Sequence, residues 1–293
     1  MQHALYRAAK ADPGRRFHAL HDKIIRSDVL WRAWAVVRRN NGAPGIDKIT
    51  LAQVEEYGVA RLLGELASEL RERRYRPMAA RRVLIPKPGT DEMRPLSIPA
   101  VRDRIVQAAL KIVLEPVFEA DFLPCSFGFR PRLSAHDALQ VLIDESWQGR
   151  RWVVETDIAS CFSEIPHEKL MEAVEERICD QPVLKLLRAM LRAGVMEDGQ
   201  VRRPVTGTSQ GGVISPVMCN VYLHRLDRAW DDADGVLVRY ADDLVVMCRS
   251  REQAEAALER LRVLLADLGL EPKEAKTRIV CVPRAQKERL GCR

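Results

Sequence analysis

Two apolar runs, GVLVRY at 235–240 and LVVMC at 244–248, are separated only by Ala241, Asp242 and Asp243. Short runs rich in valine and leucine on either side of so brief a connection predict two antiparallel strands joined as a hairpin. The tip is unusual. It lacks the glycine that a tight hairpin turn favours, and it holds two adjacent anions where they repel one another. A third carboxylate, Asp157, closes another β-rich run, WVVETDI at 152–158, which predicts a strand beside the hairpin in the same sheet. Two readings are open at this point. Aspartate is a common turn residue and needs no function there. Alternatively, carboxylates from neighbouring strands converge on hard cations. Clustered oxygen ligands suit Mg²⁺, whose charge removes the repulsion.

The remaining elements set the class of fold. A helix is predicted over 27–41, with Ser27 or Asp28 as its cap, Leu30, Trp34 and Val37 as an apolar stripe, and Asn-Asn-Gly42 as its stop. Further helices are predicted over 59–71 and 101–117, with a short strand at 81–86 and a turn at Pro88-Gly89 between them. Ser134 caps a helix whose face carries Ala138, Val141 and Leu142. Another helix is predicted over 166–176, and Ser215-Pro216 opens one that runs to about 230. Ser250 with Gln253 forms a capping box for a long amphipathic helix ended by Gly269, and 278–282 is a last strand. That order predicts an α+β fold, an antiparallel sheet with helices on one face.

Composition narrows the class further. A chain of 293 residues that is 47% hydrophobic and 30% charged suits one or two packed subdomains and excludes a disordered or collagen-like chain. No apolar run reaches a membrane span, and residues 1–20 have no secretory core, so a soluble cytoplasmic protein with no membrane partner is expected. Seven scattered cysteines, with no C-x-x-C pair, argue against a disulfide framework and a zinc site and are expected to act as small buried residues. Of the 47 basic residues 37 are arginine, whose planar fork suits phosphate oxygens. Six arginines lie in RERRYRPMAARR at 71–82, against Glu72 alone and with Tyr75 among them. A basic segment with an aromatic suits a nucleic-acid backbone, although a solvated arginine-rich surface needs no partner.

Tyr240-Ala241-Asp242-Asp243 resembles the YADD box of reverse transcriptases, and other boxes follow that family in order. Gly42-Ala43-Pro44-Gly45-Ile46-Asp47 is similar to the G-x-x-G-x-D element of group II intron reverse transcriptases. Arg82-Val83-Leu84-Ile85-Pro86-Lys87, Arg94-Pro95-Leu96-Ser97-Ile98-Pro99 and Asp103-Arg104-Ile105-Val106-Gln107 resemble their fingers block. Ser126-Phe127-Gly128-Phe129-Arg130-Pro131 comes next. Asp157-Ile158 with Phe162 resembles motif A, Gln210-Gly211-Gly212-Val213-Ile214-Ser215-Pro216 motif B, and Lys276-Thr277 motif D. The resemblance covers about residues 25 to 282.

What the resemblance implies is an RNA-directed DNA polymerase that transfers nucleotides from dNTPs onto a primer 3′-hydroxyl with two Mg²⁺ ions. Asp157 and Asp242 match the metal-bridging carboxylates, Asp243 the third, and the Ile158 carbonyl completes a metal shell. Lys87 and Arg94 match residues that grip the incoming triphosphate. Phe162 lies where a ring clashes with a 2′-hydroxyl, Gln210 and Gly211 near the nascent base pair, and Lys276 near the β- and γ-phosphates. A core phenylalanine and a surface lysine remain the plain alternatives for Phe162 and Lys276. Arg73, Arg74, Arg76, Arg81, Arg82 and Arg130 are the candidate contacts to an RNA template paired with a DNA primer. His136, Trp31 and Trp34 are read as structural. The implied architecture is the fingers and palm of a right-hand polymerase: an N-terminal helical extension at 1–60, fingers at 61–115, and palm at 116–293, with part of the fingers within about 163–205.

The chain departs from the family at Ser163, where an aspartate is common, and at Ser209, where a proline is common. Neither change touches a metal carboxylate. After Lys276-Thr277 the family continues into a helical thumb and a maturase domain, so most of a thumb is expected to be absent here. An intron RNA or a separate thumb or maturase protein is then a candidate partner. The rival reading is a non-catalytic or truncated retroelement-derived RNA-binding protein, maturase-like or a defence factor. A polymerase making RNA is disfavoured by Phe162.

Overall fold

The structure, a computed structural model, describes residues 1–86, 89, 93–197, 199–203, 205–208 and 211–283. Helices α1 (Gln2–Ala11), α2 (His21–Ile24), α3 (Ser27–Asn40), α4 (Leu51–Tyr57) and α5 (Val59–Arg71) lead into strands β1 (Ala80–Pro86) and β2 (Met93–Ile98). The long helix α6 (Val101–Glu119), helix α7 (Ala135–Trp147), strand β3 (Trp152–Asp157) and helices α8 (Cys161–Glu164), α9 (His167–Glu175) and α10 (Gln181–Arg192) follow. Two short strands, β4 (Val195–Glu197) and β5 (Gln200–Arg202), precede helix α11 (Ser215–Ala229). The chain closes with β6 (Val236–Tyr240), β7 (Asp243–Cys248), α12 (Arg251–Asp267) and β8 (Arg278–Cys281). Among the described residues no helix is long and apolar enough to cross a membrane. Two compact units result: Met1–Phe122 with Ser160–Arg225, and Leu123–Ala159 with Leu226–Arg293.

The first unit is built around α6. An unbroken run from Asp103 to Leu110 is buried on this helix, the pattern of a helix covered on all sides rather than an amphipathic surface helix. Helices α1, α2 and α3 pack against it. Helix α3 carries Leu30, Trp34 and Val37 into the core as its spacing predicts, whereas Trp31 remains exposed. Its expected cap does not form. Arg26 occupies the cap position and makes no side-chain cap, and the Asp28 carboxylate pairs with Arg26 at 2.9 Å. The sheet of this unit runs β2-β1-β4-β5. Strands β1 and β2 are antiparallel, with Arg81 opposite Ile98 and Pro86 opposite Met93, while β1 joins β4 in a parallel pairing of Ala80 with Val195 and Arg81 with Met196. Three-residue strands carry too little alternation to announce themselves in sequence. Helix α10, also unforeseen, starts on Asp180, whose carboxylate accepts from Val183 N at 3.2 Å and from Leu20 N at 2.7 Å.

The second unit is an all-antiparallel sheet in the order β6-β7-β3-β8, with α7 and α12 packed on it. This is the antiparallel core of an α+β fold. Ser134 and Asp137 make the capping box of α7, and Ala138, Val141 and Leu142 lie against Phe127 and Val238. At α12 Ser250 caps Gln253 N, but the return arm of the expected box is absent: the Gln253 side chain accepts from Arg249 N and donates to Ala233 O. Gly269 ends this helix in the left-handed region (φ +73°), where glycine carries no Cβ penalty. Cys161, Cys219 and Cys248 are buried as expected, and Cys281 on the edge strand β8 is exposed.

Candidate active site

The three carboxylates come together because of strand register. Asp157 is the last residue of β3 and Asp243 the first of β7, and the antiparallel ladder sets them directly opposite one another. The β6–β7 hairpin closes with Tyr240 opposite Asp243, so Ala241 and Asp242 alone form the tip. Ala241 takes the left-handed conformation (φ +59°) that such a tip demands and that glycine would adopt more readily. The segment after β3 is tied to the hairpin, since Ile158 N donates to Asp242 O at 3.0 Å. Lys273 N donates to Asp157 O at 2.7 Å, which brings the turn carrying Lys276 under the same strand end. The Lys276 ammonium forms an ion pair with Asp157 Oδ2.

Like charges opposite one another in a sheet are unfavourable, and the electrostatics register it. Burial, with the nearby Asp157 and Asp242 carboxylates, pushes the Asp243 carboxyl up to about 6, against a smaller pull downward from Lys276. The hydrogen bond to Asp157, reinforced by all three carboxylates, raises Lys276. Among the described residues no three His, Cys, Asp or Glu side chains converge tightly enough to form a ready-made cation cage. Lys276 pairs with Asp157 at this strand end. The donor set nevertheless fits Mg²⁺. That ion takes hard oxygens, binds through one or two carboxylates plus substrate phosphates, and keeps several waters. Ile158 is buried at the strand end, with its apolar side chain away from solvent.

Of the expected nucleotide contacts, Lys276 lies beside the carboxylates of the second unit, while Arg94, Phe162 and Gly211 fall in the first. Arg94 is exposed on β2 opposite Ile85. Lys87 and Gln210 lie outside the described residues. Gly211 has φ +111°, and a Cβ there would meet Ser97 O at 2.6 Å and Leu96 Cδ1 at 2.9 Å, so only glycine fits. Phe162 is 9% exposed on α8, and its carbonyl accepts from Thr208 N at 2.6 Å.

The candidate RNA contacts divide. Arg73, Arg74 and Arg76 are exposed, although Arg74 pairs with Glu72 and Arg76 donates to the Arg73 and Tyr75 carbonyls. Arg81 is half-buried and donates to Pro44 O, and Arg82 lies 3.9 Å from Glu197. Arg130 clamps its own loop by donating to Leu123 O at 2.8 Å and Ser126 O at 2.6 Å. Tyr75 corrects the reading of 71–82 as a basic segment with an available aromatic. It is 4% exposed, and its hydroxyl donates to Asp103 Oδ1 at 2.5 Å. Burial, the largest cause, pushes Asp103 up to about 6.

Two further residues escaped the sequence reading. Arg239 and Asp227 form a fully buried ion pair in the second unit, at 2.6 Å. The available signal was an arginine inside the otherwise apolar run VLVRY, since a buried arginine requires partners.

Residues 85–292 match the family model described as reverse transcriptase (RNA-dependent DNA polymerase). Protein YkfC of Escherichia coli K12 is 36% identical over 95% of this chain and 84% of its own length. The group II intron-encoded protein LtrA of Lactococcus lactis subsp. cremoris is 36% identical over 72% of this chain and 35% of its own length. An uncharacterised 91 kDa protein in the cob intron of Schizosaccharomyces pombe is 36% identical over 70% of this chain and 25% of its own length. The chain therefore spans most of YkfC but only a minor part of the intron-encoded proteins. A chain of a partial Cas6-RT-Cas1–Cas2 complex matches with a TM-score of 0.53 and 23% identity, over 84% of this chain and 42% of that one, a likeness of fold.

Proposed function

The chain belongs to the reverse transcriptase family, of the group II intron type, and from that premise we propose that it catalyses RNA-templated DNA synthesis. One observation carries the reading: the ladder that sets Asp157 opposite Asp243, with Asp242 at the adjoining tip. A structural hairpin gains nothing from this arrangement, which costs electrostatic energy until a cation or proton offsets it.

Polymerases of this family use divalent metal ions, and Asp157 and Asp242, supported by Asp243, are the side chains to hold two Mg²⁺ here. When bound, the ions supply Lewis-acid chemistry, activating the primer 3′-oxygen and stabilising charge on the departing pyrophosphate. The chain's own residues do the rest. Arg94 and Lys87 neutralise and align the triphosphate, and positioning with charge neutralisation is most of what phosphoryl transfer requires. Lys276, raised by its carboxylate neighbours, stays protonated at neutral pH and can give a proton to the leaving pyrophosphate. Phe162 selects deoxyribose, and Gln210 and Gly211 bound the nascent base pair. Arg73, Arg74 and Arg76 contact the RNA backbone.

The test is direct. A labelled DNA primer annealed to an RNA template, with four dNTPs, Mg²⁺ and the purified chain, is expected to give products whose lengths follow the template. Chelation of the metal is expected to stop extension. No template-dependent extension over a range of Mg²⁺ or Mn²⁺ concentrations contradicts the proposal.

A further inference from the structure

Arg239 is the largest fully buried side chain in the second unit, with relative exposure of 0%. A guanidinium removed from water is costly unless it is paired and hydrogen-bonded. Its partners account for that cost. Nε donates to Asp227 Oδ1 at 2.7 Å and Nη2 to Asp227 Oδ2 at 2.6 Å, a bidentate pair. Nη2 also donates to Ser126 Oγ at 2.8 Å. The other terminal nitrogen reaches elsewhere: Nη1 donates to the carbonyl of Ala241 at 3.0 Å. That carbonyl begins the peptide that leads into Asp242.

The backbone around Arg239 repeats the pattern. Arg239 N donates to Cys125 O at 2.7 Å, and Arg239 O accepts from Phe127 N at 2.9 Å, so the 125–127 segment is bonded alongside β6. Gly128 then approaches the tip so closely that a Cβ on it would lie 2.3 Å from Ala241 N. Ala241 sits in the left-handed region, which is unfavourable for a residue with a Cβ, so contacts from outside the turn are needed to hold it there. From the other side, Ile158 N binds the Asp242 carbonyl. The Ala241-Asp242 segment is thus gripped at both of its carbonyls.

We propose that Arg239, locked by Asp227, is a positioning residue that holds the Ala241-Asp242 tip in the conformation that presents Asp242 and Asp243 to metal. The inference rests on the polymerase reading for its consequence but not for its geometry. Replacing a buried ion pair by apolar residues of similar size is often neutral for stability. Such a replacement here removes the donor to Ala241 O, so stability and metal binding should separate. Outer partners that orient ligands typically change metal affinity or activity about 10–100-fold when removed.

The experiment compares the wild type, the double variant Arg239→Met/Asp227→Leu, and Arg239→Lys. Arg239→Lys keeps the charge opposite Asp227 but cannot span Asp227, Ser126 and Ala241 at once. Three quantities are measured: thermal unfolding without metal, Mn²⁺ affinity by electron paramagnetic resonance, and hydrogen exchange of amides 239–244 without metal. The double variant is expected to unfold near the wild-type temperature, to bind Mn²⁺ about 10–100-fold more weakly, and to exchange faster at Asp242 and Asp243. Should it not fold, Arg239→Lys is expected to show the same loss of affinity and protection while folded. A folded variant with wild-type affinity and wild-type protection overturns the proposal. The two ideas fail separately. A wild type that binds no metal and extends no primer, with faster exchange in the variants, defeats the polymerase reading and leaves the strut in place.

Discussion

Asp157 and Asp243 stand directly across from one another on antiparallel β3 and β7, each at the end of its strand. A cross-strand pair of like charges is a liability in a sheet, and it is compounded by Asp242 at the neighbouring tip. Lys276 meets part of the charge through its ion pair with Asp157. The rest appears as the raised Asp243 carboxyl. The site is therefore electrostatically incomplete at neutral pH, and what completes it determines what it does.

The first prediction follows from the sign of that shift. Asp243 has a folded pKa of about 6, above its ordinary 3.8, so the folded state binds the proton more tightly than the unfolded one. Its stabilising contribution is full below about 4 and is lost as pH rises through 6. Divalent metal needs the ionised form. Mg²⁺ is therefore expected to raise the unfolding temperature more at pH 7.5 than at pH 5, a contrast that Asp243→Asn reduces. Asp103 is also held at about 6 and adds its own slope to both proteins, so the difference between them is the measured quantity. Equal Mg²⁺ effects at the two pH values speak against a carboxylate metal site.

A second prediction separates template from nucleotide. Replacing Arg73, Arg74 and Arg76 by alanine should weaken RNA binding and flatten its salt dependence by about 0.7 in log–log slope for each phosphate no longer neutralised. Arg94→Ala should leave RNA affinity nearly unchanged while raising KM for dNTP and lowering kcat. Filter binding across a salt series, with steady-state kinetics, decides it. Loss of RNA affinity alone in both variants contradicts the division.

Phe162 supports a third. It is nearly buried, so Phe162→Val loses packing of about 1–3 kcal/mol whatever its role. Only a sugar-discriminating ring also changes substrate choice, and the variant is expected to incorporate ribonucleotides more readily relative to deoxynucleotides. Lower stability with an unchanged incorporation ratio returns Phe162 to the core.

Gly211 yields a fourth. Its φ of +111° and the Ser97 carbonyl 2.6 Å from where a Cβ would sit leave no room for a side chain. Gly211→Ala is expected to cost about 1–3 kcal/mol in backbone strain alone, read as a lower unfolding temperature, and to raise KM for dNTP. An unchanged melting curve contradicts the geometry.

Much of the fold was legible because its signals are local. The Ser134 cap, the Gly269 stop and the apolar runs of β6 and β7 each involve residues within a few positions of one another. Convergence of Asp157 with the hairpin followed from two strand ends and the motif order. What escaped depends on distant partners. Tyr75 reads as part of a basic surface until Asp103, 28 residues away, takes its hydroxyl into the core. Ser27 and Asp28 look like caps until Arg26 claims the carboxylate. The parallel pairing of β1 with β4 rests on two residue pairs separated by more than a hundred positions. Arg239 reads as one polar position on a strand, and only the structure brings Asp227 and Ser126 to it.

The central claim is that the strand-end carboxylates form the site of metal-dependent DNA synthesis, and Asp242→Asn tests it most directly. The substitution removes one charge from a half-buried tip with little change of shape, so the fold and RNA binding should survive, as circular dichroism and RNA binding verify. Metal ions contribute several kcal/mol of transition-state stabilisation in such sites, and each 1.36 kcal/mol is tenfold in rate. Single-turnover extension of a primer on an RNA template is therefore predicted to fall by about a thousandfold or more in the folded, RNA-binding variant. Extension at the wild-type rate contradicts the account.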